Sequence, residues 1–129
     1  MTLHAEKWAD YGRQASLAGE HALAIQALEH ALEEGANDAS VWIALGIARA
    51  HERQTEGAIA AMQQALLLTP TAIDAWSMIG ELAIELERFS LALQALTRCH
   101  DLDPLGASPH GARAKALVRK TWKRLVPAV

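Results

Sequence analysis

The groups in this 129-residue sequence able to ligate a metal or move a proton are six histidines, one cysteine and 15 carboxylates. A metal centre or an acid–base pair needs such groups at set spacings on one shared face. His4, His21, His30, His51, His100 and His110 are scattered, with no His-Glu-x-x-His run and no second-ligand spacing. Cys99 and His100 are adjacent, so on a helix they point about 100° apart and cannot easily share an ion. No Gly-rich loop able to cradle a phosphate is present, because the glycines fall within or at the ends of helical segments. The paired acids Glu33–Glu34 and Glu85–Glu87 read as solvated helix faces. Neither an enzyme nor a bound metal or cofactor is expected.

Charge is the second source of chemistry, and it is unevenly spread. Residues 1–106 hold 6 basic and 15 acidic side chains, a formal −9, whereas the remainder carries +6. The basic residues are Arg113, Lys115, Arg119, Lys120, Lys123 and Arg124. They lie on one side of an amphipathic segment whose other side is Ala114, Leu117, Val118, Thr121, Trp122 and Leu125. The apolar stripe implies a helix that caps a neighbouring core. The basic side would suit an acidic partner or an anionic lipid surface. Nucleic acid is not expected, because the body of the chain is acidic and no known nucleic-acid motif appears.

The elements that must hold these groups follow a period of 34. Trp8, Trp42 and Trp76 are 34 apart, as are Gly12, Gly46 and Gly80, and Ala24, Ala58 and Ala92. Leu28, Met62 and Leu96 keep the same register, then Ala31, Ala65 and Cys99. Pro70 and Pro104 close two units, with Ala36 in the equivalent slot. A fixed period of this length signals stacked supersecondary units. Each unit reads as two helices, a large apolar wedge beside a Gly that admits a close neighbour. Helices are expected near 5–17, 21–34, 39–51, 55–68, 73–86 and 89–102. Asp38 and Thr55 are expected N-caps, and Thr71 with Asp74 resembles a capping box. Gly19 sits in the first inter-helix turn and Gly35 ends the second helix. Ser108–Pro109 opens a seventh helix that runs to about Leu125 and stops before Pro127. Ala114 lies 34 after Gly80, so this helix reads as the first half of an unfinished fourth repeat.

The pattern resembles the tetratricopeptide repeat (TPR) family, whose signature W-x2-L-G appears as Trp42-Ile43-Ala44-Leu45-Gly46. Trp8-Ala9-Asp10-Tyr11-Gly12 and Trp76-Ser77-Met78-Ile79-Gly80 are its in-register variants. The resemblance covers about residues 5–106, as repeats 5–38, 39–72 and 73–106, with a capping helix at 108–125. It implies an all-α, right-handed superhelical array forming a single domain over 1–129. The family's usual Tyr, three after the Gly, is Ala15, Arg49 and Ala83 here, which implies a looser inter-helix seam.

The same resemblance places a partner-binding groove on the first helix of each pair, one, two and five residues after each Trp. These positions are Ala9, Asp10 and Arg13, then Ile43, Ala44 and Ile47, then Ser77, Met78 and Glu81. Ala50 and His51 follow in repeat two, and Ile84 with Glu85 in repeat three. One branch of the family grips acidic peptide C-termini with a Lys and Asn clamp. Here the slots hold Ala9, Arg13, Ala44, Asp74 and Met78, so that clamp is not expected. Ile43 and Ile47, four apart, make an apolar ridge suited to an extended segment or amphipathic helix of another protein. The resemblance thus implies a scaffold or adaptor. A dedicated chaperone for an exported or assembled client is the alternative, as is a self-assembling structural protein. With one cysteine, no apolar run of about 18 residues and no apolar leader in Met1–Lys7, a cytoplasmic setting is expected.

Overall fold

The structure, a computed structural model, describes residues 3–126. Among these residues there are seven helices and no strand: α1 (Leu3–Leu17), α2 (His21–Glu33), α3 (Ala39–His51), α4 (Thr55–Leu68), α5 (Ile73–Glu85), α6 (Phe89–Leu102) and α7 (Pro109–Leu125). Within each pair, a three-residue turn joins helices that pack on each other, which makes them antiparallel. Pro127, expected to stop α7, lies outside the described residues.

The turns inside the pairs are copies of one device. Gly19, Arg53 and Glu87, each 34 apart, adopt the left-handed conformation with φ of +83°, +60° and +57°. The following amide reaches back five residues in every case: Glu20 N to Ala15 O, Gln54 N to Arg49 O, and Arg88 N to Ala83 O, at 2.8–2.9 Å. The left-handed residue itself donates to Ser16, Ala50 or Ile84. This double bond pattern satisfies carbonyls that a helix end would otherwise leave unpaired. Glycine fits such a φ freely, whereas Arg53 and Glu87 each give up about 1–2 kcal/mol to hold it.

The 34-residue glycines sit at the tightest helix–helix approach. A Cβ added to Gly12 would lie 2.6 Å from Leu28 Cγ, and one on Gly80 would lie 2.7 Å from Leu96 Cδ2. On Gly46 it would meet the Met62 methyl at 2.8 Å. Each glycine is therefore a notch for the bulky residue 16 positions later in its own repeat. Leu28 and Met62 are fully buried and Leu96 nearly so.

The chain divides into two compact units at Pro70. The first holds repeats one and two. Its core is mainly alanine wedged by Ile25, Leu28, Val41 and Leu45. Ala15 is buried in the first of the slots expected to be loose. In the second slot Arg49 binds the helices together, donating from Nη1 to Gly57 O at 3.1 Å while Nη2 lies 3.7 Å from Glu29 of α2. The seam expected to be loose is thus closed by a polar clip. Nearby, His21 and His51 stack with ring centroids 4.1 Å apart and planes nearly parallel. His21 Nδ1 is buried without a hydrogen-bond partner.

The second unit is α5, α6 and α7. Ala83, Ile84, Ala92, Leu96 and Cys99 pack with Ala114 and Leu125 of α7, flanked by Trp76, Phe89, Leu117 and Val118. Burial pushes the Cys99 thiol up to about 11, so it stays a neutral space-filler. The capping of α7 follows the sequence: Ser108 Oγ accepts from Gly111 N at 3.0 Å, and Pro109 opens the first turn. Asp103 fastens this corner, accepting from the Ser108 amide (2.8 Å), its hydroxyl (2.7 Å) and the Ala107 amide (3.0 Å). These bonds hold the Asp103 carboxyl below its ordinary range.

Three local expectations are corrected. Asp38 does cap α3, accepting from Ser40 N at 3.1 Å. Thr55, however, is the first residue of α4, and Gln54 precedes it with no side-chain cap. Ala72 occupies the cap of α5, so Thr71 and Asp74 form no capping box; Asp74 accepts from the adjacent Ala75 amide. Finally, α7 continues the repeat register only in part: Gly111 and Ala114, 34 after Ser77 and Gly80, are buried as those are. The slots 34 after Trp76 and Ile79 hold His110 and Arg113, both exposed, while Gly111, Ala114, Thr121 and Leu125 are the buried stripe. The difference follows side-chain chemistry, since a charged Arg113 cannot fill the buried slot that Leu45 and Ile79 fill.

Candidate binding surfaces

The expected groove positions divide by burial. Ala9 and Ser77 are only 2% and 3% exposed, so they pack inside and offer a partner no surface. The residue one after the Trp therefore packs inside in repeats one and three, whereas its counterpart in repeat two, Ile43, stays half-buried. Ile43, Ala44 and Ile47 of α3 are half-buried, as is Ala50. They present a partly open apolar strip on one helix face, because i and i+4 lie one above the other. His51 is exposed at its end, leaning on His21.

Charge around these residues is largely engaged. Arg13 donates to Asp10 Oδ1 and to Ser40 Oγ, both at 3.0 Å, so its fork ties α1 to α3. In the second unit Met78 is half-buried, and Glu81 is paired with Arg113 of α7. The groove position and the basic helix, treated separately in the sequence, therefore meet. Ile84 is buried and Glu85 exposed.

On α7 the basic face is solvated. Arg113 is exposed beside Glu81, and the Arg124 guanidinium lies 5.3 Å from the Phe89 ring centre, where a cation is attracted to the ring face. Arg119, Lys120 and Lys123 are exposed, and Lys115 lines a cleft of about 230 Å³ between α6 and α7. Leu93, Leu96, Val118 and Trp122 form its apolar walls. Trp122, read from its spacing as part of the capping stripe, is 52% exposed. It projects at the mouth of the cleft and leaves capping to its neighbours.

A further surface escaped the sequence reading. Between α1 and α2 lies an open groove of about 670 Å³ lined by Trp8, Tyr11, Leu23, Ala27 and His30, with His4, Lys7 and Gln26 at its edges. Trp8 meets Tyr11 edge-on at 6.1 Å and His30 at 4.6 Å. His30 Nδ1 and Nε2 each lie 3.7 Å from a carboxylate oxygen, of Glu33 and Glu34 respectively. The corresponding residues of repeat two are Trp42, Leu45 and Ala61. These are packed into the core of the first unit, which includes α2 residues Leu28 and Ala31. Tyr11 in place of a Leu was the available signal.

Among the described residues, no group of three or more His, Cys, Asp or Glu is placed to hold a metal, and no helix is long and apolar enough to cross a membrane. The Tetratricopeptide repeat family model matches residues 73–104. No curated protein matches the sequence. Among solved structures, the first TPR of Spaghetti (RPAP3) bound to the HSP90 peptide SRMEEVD superposes with a TM-score of 0.85 at 17% identity, covering 97% of this chain and 95% of that one. The TPR2B domain of yeast Sti1 in its pHsp70 complex gives 0.84 at 18% identity, covering 95% and 99%. The Sgt2 TPR domain from Aspergillus fumigatus gives 0.81 at 20% identity, covering 99% and 87%. The third unit matches the repeat by sequence, the first two keep its 34-residue register, and the chain has the fold of these tetratricopeptide repeat domains, three helix pairs followed by a seventh helix.

Proposed function

We propose that the protein is an interaction module that holds an extended segment or amphipathic helix of another protein against α3. The observation that supports this reading most is the half-buried strip of Ile43, Ala44 and Ile47, whose apolar side chains neighbouring helices leave partly uncovered. Neighbours of the same fold are solved with peptides bound: Spaghetti with an HSP90 peptide and human RPAP3 with an HSP70 peptide. An acidic C-terminal peptide is the wrong ligand for this chain. Arg13 is occupied by Asp10 and Ser40, and Ala44 and Met78 offer no charge. The partner segment is apolar instead, and the setting is cytoplasmic.

The test is affinity capture from host lysate with the wild type and an Ile43→Glu/Ile47→Glu variant. The expected outcome is one dominant partner that the variant loses while its helicity stays near wild type. A partner retained by the folded variant overturns the reading. If the captured protein is an aggregation-prone or exported client, the module is a dedicated chaperone; if it belongs to a stable assembly, the module is an adaptor.

A further inference from the structure

The two ends of the sequence carry complementary open surfaces, and neither is used by the α3 strip. Near the start, Trp8 and Tyr11 are 38% and 50% exposed over the α1–α2 groove. In repeat two, inside the same compact unit, the residues at these positions are packed into the core alongside residues of α2. Repeat one thus presents an apolar seat of the kind that repeat two packs against α2. Near the end, α7 carries Trp122, 52% exposed, with Leu93 of α6, 36% exposed, on the wall of the adjoining cleft. Exposed aromatics that sit together on a rimmed patch mark an interaction surface.

Charge identifies what fits the seat. Residues 1–38 hold seven acidic and two basic side chains, with Glu33 and Glu34 beside His30 at the lip of the groove. The segment from 107 onward holds six basic and no acidic side chains. Arg119 and Lys123 lie three before and one after Trp122, so basic groups flank the exposed indole on α7. Lys7 is the one Lys or Arg lining the groove. An amphipathic basic helix with a projecting tryptophan matches an acidic-lipped aromatic groove in both shape and sign.

We propose that the α1–α2 groove of one copy receives the Trp122 face of α7 from a second copy. The contact is heterologous, with different patches on its two sides. Each added copy leaves a fresh groove and a fresh α7 exposed, so the product is an open chain unless its rotation closes a ring. Because the lips carry opposite charge and face solvent, salt weakens the contact.

Two single substitutions in the full-length protein test this. Tyr11→Ala blunts the groove and Trp122→Ala removes the knob; both side chains are at least half exposed, and circular dichroism confirms that each variant keeps its helicity. Sedimentation velocity of the wild type at low salt should show concentration-dependent species beyond a dimer, weakened at least roughly tenfold at high salt. Each variant alone should be monomeric. An equimolar mixture of the two should give a heterodimer and nothing larger, since one intact groove and one intact α7 face remain per pair. An Arg119→Glu/Lys123→Glu variant should match Trp122→Ala. A wild type that stays monomeric at low salt overturns the proposal. So does a closed dimer insensitive to either alanine, or a mixture that forms no heterodimer. None of these results depends on Ile43 or Ile47, so the partner-binding reading stands or falls separately.

Discussion

Gly80→Ala opposes two effects whose sizes can be compared. Alanine is favoured over glycine inside a helix by about 1 kcal/mol. On an open helix face that preference would win. At position 80, however, the new Cβ would sit 2.7 Å from Leu96 Cδ2 and 2.9 Å from its Cγ. The Cγ atom is the branch point, so relief requires the whole Leu96 side chain, only 2% exposed, to shift against its packed neighbours. Overpacking of this kind costs about 1–3 kcal/mol. The net expectation is a loss of about 1 kcal/mol, a fall in Tm of about 4 °C for a domain of this size. Urea and thermal melts of four proteins test it: wild type, Gly80→Ala, Leu96→Ala and the double variant. Leu96→Ala alone should cost about 2–5 kcal/mol. In that background Gly80→Ala should reverse sign and stabilise, because its obstacle is gone and the cavity is partly filled. A Gly80→Ala protein that gains the full helix preference in the wild-type background would refute the notch. Gly46→Ala is the internal control: its nearest neighbour is the mobile end of Met62, so its cost should be smaller.

Three further outcomes follow from the same geometry. Trp42→Ala should cost about 3 kcal/mol or more, as for core aromatics, and Trp8→Ala markedly less, because Trp8 is exposed and Trp42 packs into the first core; equal losses in urea melts would contradict this difference in packing. Arg53→Gly should stabilise by roughly 0.5–1 kcal/mol by relieving its left-handed φ, read as a raised thermal midpoint, whereas Gly19→Ala in the equivalent turn should destabilise. The depressed Asp103 carboxyl contributes stability that is complete above its unfolded pKa and fades as pH falls through the lower folded value. Amide exchange in α7 should therefore accelerate in acid relative to α1, and Asp103→Ala should remove that difference.

The 34-residue spacing made the helix pairs, the glycine notches and the Ser108–Pro109 start legible, because each is a local rule repeated or a cap with its own residue types. Helix ends fell within about two residues of expectation, the usual scatter of such boundaries. Arg53 and Glu87 were harder to see. Their left-handed role is written only as an offset from Gly19, since neither residue type announces it. The binding surface was read least well, for a geometric reason. Positions one after each Trp share a helix face with true surface residues in projection, yet Ala9 and Ser77 are small enough to be covered by adjacent helices. The ion pair of Glu81 with Arg113 joins residues 32 apart across two helices, which no local pattern encodes. The α1–α2 groove rests on the exposure of Trp8 and Tyr11, where repeat two buries its counterparts, and periodicity describes only what recurs.

Modular arrays invite the idea that their units can be shuffled, copied or deleted like beads. The Arg49 clip sets a limit on that here. Its guanidinium bonds Gly57 of its own repeat and approaches Glu29 of the preceding one. Repeat two is thus addressed to the place it holds. Moved behind a unit with another residue at the Glu29 slot, it would bring a half-buried cation without its counter-charge; duplicated in tandem, the second copy would meet Gln63 where the first met Glu29. The join of repeats one and two is therefore favoured by a side chain that the family pattern does not contain.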